Sequence, residues 1–136
     1  MKTPLIAVSD LTKTFQSPDG TVYAVNGVNF SVAAGESVGL VGASGSGKST
    51  AAKCLLHFEK PTSGRIFFNG RDITNLSKRQ FRPLRRHIQM VYQDLATALD
   101  LRHSVRRLLS EPLKTYDLAE KYELEEQVEQ LMDLVH

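Results

Sequence analysis

Nine consecutive residues, Gly42-Ala43-Ser44-Gly45-Ser46-Gly47-Lys48-Ser49-Thr50, have the types and spacing to do chemistry. They follow the pattern G-x-x-x-x-G-K-[ST]. Glycines at 42, 45 and 47 present no Cβ and accept positive φ, so successive backbone N–H groups can curl around an anion. Lys48 adds a point charge for β- and γ-phosphates. The Ser49 hydroxyl is placed to ligate Mg²⁺, a cation that takes few protein ligands when phosphates supply the rest. All nine residues are therefore candidate contacts for a nucleoside triphosphate. A flexible Gly/Ser loop with a chance lysine is the bland alternative, and it is judged by the flanks.

Those flanks fit. Ser37-Val38-Gly39-Leu40-Val41 is a short apolar run suited to a buried strand, and Ala51-Ala52-Lys53-Cys54-Leu55-Leu56 suits a helix. A helix starting near Lys48 would turn its unpaired N–H groups and positive dipole end toward the same anion. Upstream, Leu5 to Phe15 and Val22 to Val32 read as two antiparallel strands joined by the turn Ser17-Pro18-Asp19-Gly20. Downstream, Arg65-Ile66-Phe67-Phe68 is a strand and Asn69-Gly70 a hairpin signal. Ser77-Lys78-Arg79-Gln80 has the form of a capping box opening a short helix, which Pro83 limits. Ile88-Gln89-Met90-Val91-Tyr92 is a further apolar strand, ending at Gln93-Asp94. From Ser104 the pattern is helical, interrupted at Pro112, with a second helix expected to start at Asp117-Leu118-Ala119-Glu120. Leu124, Val128, Leu131 and Val135 form its apolar stripe, opposite Glu123, Glu125, Glu126 and Glu129.

Composition sets the outer bounds. At 136 residues the chain is one domain at most. A net charge of +2 is too small to argue for nucleic acid or an anionic membrane by itself. The single cysteine, Cys54, forms no disulfide framework; a reducing compartment and a buried packing role are expected. No run approaches the roughly 20 apolar residues of a membrane span, and the N-terminal apolar run is too short for a signal peptide. No internal repeat or low-complexity segment occurs.

Beyond this point the chain resembles a known family. Gly42 to Thr50 is similar to the Walker A loop of ATP-binding-cassette (ABC) ATPases. Phe15, in Leu11-Thr12-Lys13-Thr14-Phe15, stands where those proteins place the aromatic that stacks on adenine; a plain core phenylalanine is the other reading. Pro61 to Ile66, Asn69 to Ile73 and Leu84 to Asp94 resemble the oligopeptide, dipeptide and nickel importer branch. The resemblance gives Gln93 the role of the Q-loop glutamine, reaching Mg²⁺ and the attacking water and linking nucleotide to membrane subunits. It implies an α/β P-loop fold of the ABC ATPase type in incomplete form. Residues 5–94 would hold an antiparallel β subdomain and part of the parallel core sheet; residues 95–136 would begin a helical subdomain. It further implies ATP and Mg²⁺ as ligands. Its implied partners are transmembrane permease subunits and a second ATPase subunit, with a peripheral place on the cytoplasmic side of the inner membrane. The implied activity is solute uptake driven by ATP, with Lys48 and Gln93 as catalytic residues and Ser49 and Gln93 at the metal.

The sequence also departs from the family. Leu95 to Arg102 keeps Arg102 but lacks the proline usual after Gln-Asp in that branch. The chain carries no Leu-Ser-Gly-Gly-Gln signature, no Walker B aspartate followed by glutamate and no switch histidine. Ile88 to Asp94 ends in an acid, but Gln93 interrupts the apolar run and no glutamate follows. Two readings stay open beside the transport ATPase: a nucleotide-binding remnant, and a nucleic-acid protein using Lys78, Arg79, Arg82, Arg85, Arg86 and His87, a stretch that better suits a solvated helix face because aromatics to stack bases are scarce there. Without a carboxylate to orient water, the chain alone is expected to hydrolyse ATP at near background. A steady-state phosphate-release assay giving turnover within tenfold of the enzyme median of about 10 s⁻¹ would overturn this.

Overall fold

The computed structural model describes residues 3–92, 99–120 and 122–135, and they form two compact units, 1–88 and 89–136.

In the first unit, β1 (Ile6–Ser17) and β2 (Gly20–Val32) make an antiparallel hairpin closed at Pro18-Asp19. Phe15 pairs with Val22 and Thr14 with Tyr23. β3 (Ser63–Phe68) pairs antiparallel with the other edge of β1, and β4 (Arg71–Asp72) follows it through Asn69-Gly70, giving the order β2-β1-β3-β4. Both turn residues have positive φ, 49° and 77°, as a two-residue hairpin of matching twist requires. β1 bulges at Asp10, whose N–H donates to Asn29 Oδ1 at 2.8 Å; Asn29 Nδ2 returns a bond to Asp10 Oδ1 at 3.0 Å. At the crossing of β1 and β3, residue 64 has φ +89° and a Cβ there would meet Leu11 Cα at 2.7 Å, so only glycine fits.

Helix α1 (Lys48–Leu55) lays Ala51 and Cys54 against this sheet. With Val8, Leu11, Val25, Ile66, Ile73 and Phe81 they form one buried cluster. Each large member contributes about 1.5–3 kcal/mol by leaving water. Cys54 is fully buried, which raises its thiol pKa and fits the packing role expected of it. Thr74 locks the exit from β4: its hydroxyl donates to Asp72 Oδ1 at 2.6 Å and accepts from the Ile66 N–H at 2.8 Å. The Thr74 hydroxyl, with the Thr74 N–H at 2.8 Å, holds the Asp72 carboxyl below its ordinary range. Helix α2 (Lys78–Phe81) opens with the expected capping box, Ser77 Oγ accepting from Gln80 N–H and Gln80 Oε1 from Ser77 N–H. A 3-10 turn, Arg82–Arg86, carries Pro83 near its start.

The second unit holds α3 (Val105–Thr115), capped by Ser104, and α4 (Leu124–Asp133). Arg106 bridges them through Glu125 and Glu129. Asp100 is clamped by Arg102, Nη2 to Oδ2 2.7 Å, which lowers its carboxyl to about 2.

Several expectations are corrected. Among the described residues the only sheet is the antiparallel one; neither 37–41 nor the described part of 88–92 forms a strand. A parallel strand gains its ladder from a neighbouring strand, and no described residue supplies one. Pro112 lies inside α3 rather than ending it: the ring deletes one N–H, while its carbonyl still accepts from Tyr116 N–H at 3.1 Å. The last helix begins at Leu124, after Asp117 takes φ +51°, and its stripe is buried only at Leu124 and Val128.

Phe81 is 1% exposed and stacks on His57 with centroids 4.5 Å apart. Phe81→Ala is expected to remove about 3–5 kcal/mol of stability, read from urea unfolding followed by circular dichroism.

Candidate functional site

The phosphate loop runs from the end of β2 to α1. After the turn at Ala33-Ala34-Gly35-Glu36, residues 36–46 are exposed, and the chain then enters α1. Gly47 is the N-cap, with φ +91°, and no side chain caps the helix. Its first-turn N–H groups and dipole end therefore face the loop without a competing protein acceptor of their own. Residue 47 also passes so close to β2 that a Cβ would run into the Ala24 carbonyl oxygen. Only glycine can make both the left-handed turn and this approach.

Lys48 folds back over the loop. Its Nζ donates to Gly42 O at 2.8 Å, to Ala43 O at 2.7 Å and to Ser46 Oγ at 3.3 Å. An ammonium has three donors. Two are fixed by backbone carbonyls that do not move independently of the loop. The third rests on a long bond to an exposed serine, the partner an incoming anion would most readily replace. Ser49 and Ser44 make no side-chain hydrogen bond to a described residue, and Ser49 is exposed. Among the described residues no group of three or more His, Cys, Asp or Glu could hold a metal. A divalent cation here would lean on Ser49 and on phosphate oxygens. The glycine cradle, the pinned ammonium and the exposed Ser49 hydroxyl thus fit a Mg²⁺–triphosphate group.

Beside the loop lies a cavity of about 380 Å³. Tyr23, Val25, Val28, Phe30, Leu40 and Val41 line its apolar side, and Gly42, Ser46, Gly47 and Lys48 its polar side. Phe15 does not line it. That ring is 41% exposed on the hairpin, paired with Val22, and Lys13 Nζ sits 4.8 Å from its centroid. Lys13 is held there by Glu59 at 3.2 Å and by Lys60 O at 3.0 Å. One face of Phe15 is thereby engaged in a cation–π contact. Tyr23, 62% exposed, lines the cavity beside the loop together with Phe30. The sequence reading passed over the tyrosine; the register shift that sets Val25 opposite Lys13 and Tyr23 opposite Thr14 interrupts the alternation that would have marked it. Gln93, the remaining expected site residue, lies outside the described residues.

A glycine-rich anion loop at a helix N-terminus, seated on an antiparallel sheet, defines a nucleotide-binding protein of the phosphate-loop class. Residues 25–136 match the ABC transporter family, and the chain belongs to it. It is 44% identical over 119 residues to the oligopeptide transport ATP-binding protein AppF of Bacillus subtilis, covering 87% of this chain and 36% of that protein. It is 34% identical over 136 residues to the nickel import ATP-binding protein NikE of Brucella suis, covering 96% of this chain and 51% of that protein. The chain thus spans between about a third and a half of such relatives. Among solved structures, cbiO1 of Clostridium perfringens, part of the ABC transporter complex cbiONQ, superposes with TM-score 0.69 at 28% identity over 96% of this chain and 48% of that one. A dimeric ATP-binding cassette bound to ADP and Pi shares the fold, with TM-score 0.78 at 24% identity over 92% of this chain and 54% of that one. The expected ABC ATPase fold and importer resemblance are thereby borne out.

Gly47→Ala is expected to weaken binding of a fluorescent ATP analogue at least tenfold, because the new methyl cannot share space with the Ala24 carbonyl. Gly39→Ala, where a Cβ meets nothing within 4 Å, is expected to leave binding unchanged in the same titration.

Proposed function

We propose that the chain is the nucleotide-binding portion of an ABC importer's ATP-binding subunit, coupling ATP binding and hydrolysis to uptake of peptides, nickel or a similar solute. The observation that carries this is the Lys48 ammonium, tied to the Gly42 and Ala43 carbonyls above an uncapped helix N-terminus. The names of the matched relatives support the solute class. In this reading the loop N–H groups and Lys48 bind and orient the β- and γ-phosphates. Ser49, with Gln93, holds Mg²⁺, whose charge offsets that of the phosphates. Phe15 offers the adenine a stacking surface on the face that Lys13 leaves open.

Transmembrane permease subunits and a second ATPase subunit, alike or different, complete the machine. The names of the structural neighbours, one dimeric and one part of a transporter complex, support such partners. No helix of the described residues is long and apolar enough to cross a membrane. A peripheral place on the cytoplasmic side of the inner membrane, held by the permease, follows from that reading. A nucleotide-binding remnant without transport or hydrolysis is the other reading kept beside it.

Isothermal calorimetry with Mg·ATP tests the shared core of both. Binding heat is expected from the wild-type chain. Lys48→Ala, which removes the ammonium and leaves the exposed loop free to fold, is expected to weaken binding at least tenfold. Equal heats from both proteins, or none from the folded wild type, would sink the proposal. Restored uptake in cells lacking the corresponding importer subunit would then separate transport from the remnant.

A further inference from the structure

The last elements of the first unit carry a charge pattern that nucleotide binding does not use. Between Asp72 and Asp94 the sequence has no acidic residue, but it has Lys78, Arg79, Arg82, Arg85 and Arg86. These five exceed the whole net charge of +2, so the other residues together are negative by three. The fold gathers them on one ridge. Phe81 is buried in the core, with Leu84 and Ile88 packed against it, and these three fix the inward side of α2 and the 3-10 turn. Lys78, Arg79, Arg82 and Arg86 are left exposed. At 1.5 Å per α-helical residue and 2.0 Å per 3-10 residue, the ridge is about 16 Å long. Among the described residues, ion pairs are formed by Lys13, Arg102 and Arg106, not by the ridge. Arg85 lies over the ring of Phe58, 5.9 Å from its centroid, and Phe58 is 50% exposed at the flank.

We propose that this ridge docks on a bilayer surface rich in anionic phospholipid, holding the chain against the membrane without crossing it. Five cations along one edge attract a dense field of phosphate headgroups, and the attraction adds with each Lys or Arg brought near the surface. Phe58, half exposed beside Arg85, adds an aromatic ring at the flank of the ridge. A nucleic acid is the less suitable polyanion, because the stretch 78–87 has no Phe, Tyr or Trp besides the buried Phe81 to stack bases. Proteins of this family act in transport, so a bilayer is the polyanion at hand. The proposal is independent of the nucleotide site, none of whose residues lies on the ridge.

Flotation of the whole chain with lipid vesicles tests it. Vesicles of phosphatidylcholine with about 30% phosphatidylglycerol are expected to carry the protein at about 0.05 M salt. Pure phosphatidylcholine vesicles are not, and about 0.5 M salt is expected to release it. R79Q/R82Q/R86Q is expected to weaken partitioning at least tenfold. R65Q/R71Q/K114Q, which removes the same charge from exposed positions elsewhere, is expected to bind as wild type. Should the ridge triple variant lose its circular-dichroism spectrum, the single exchanges replace it, each expected to weaken binding about threefold. Equal loss in both triple variants, equal binding to neutral vesicles, or tenfold tighter binding to single-stranded DNA at matched phosphate would each overturn the proposal.

Discussion

Everything that positions the phosphate loop passes through one close approach, where Gly47 lies against the Ala24 carbonyl of β2. Gly47 is at once the last loop residue and the cap of α1, so sheet, loop and helix meet at a point with no room for a side chain. The helix is held to the same sheet by Ala51 and Cys54, small residues that let the backbones approach. The loop is therefore exposed along its length but anchored at its end by a buried core. An anion site needs this combination: donors open to solvent, on a base that does not drift.

Lys48 adds the electrostatic half. Most exposed lysines wander through many rotamers, at about 1.5–2 kcal/mol of entropy to fix. Here carbonyls of the loop itself hold the ammonium, so much of that ordering is done before any phosphate arrives. The same contacts make the loop sensitive to its lysine. Without it, two carbonyls that now share a cation would face solvent and be free to turn.

How much of this was legible in the residues depends on how local each cause is. Asn69-Gly70, the Ser77/Gln80 capping box and the Ser17–Gly20 turn were readable because a few neighbouring residues decide them. The Lys48 loop was readable because its chemistry is fixed by spacing. The apolar run at 37–41 has the composition of a buried strand, yet Val41 is 91% exposed and the segment is irregular. Composition states what a segment would bury, not whether a neighbour is present to bury it. Pro112 misled for a related reason: its local penalty is real, but a helix capped by Ser104 and clasped to its neighbour through Arg106 absorbs the loss of one bond. Tyr23 and Phe15 sit within one hairpin, and only its registry shows that the tyrosine faces the loop.

The contrast between the two kinds of sheet bears on what the loop can do. The antiparallel sheet is complete in the described residues because hairpins and one returning strand supply all its ladders locally. The strand expected to feed the loop requires parallel neighbours that come from distant sequence. Relatives are two to three times as long as the stretch this chain matches. The loop is thus fixed firmly on its helix side, through Gly47 and α1, and loosely on its strand side, through Val38, Leu40 and Val41. Phosphate contacts concentrated on the firm side, at Gly47, Lys48 and Ser49, need little further ordering. Those toward Gly42 rest on the Lys48 bonds in a segment with no ladder of its own, and the ordering still needed there is drawn from the binding free energy. Parallel neighbours on the strand side would therefore tighten nucleotide binding without adding a single contact to the phosphates.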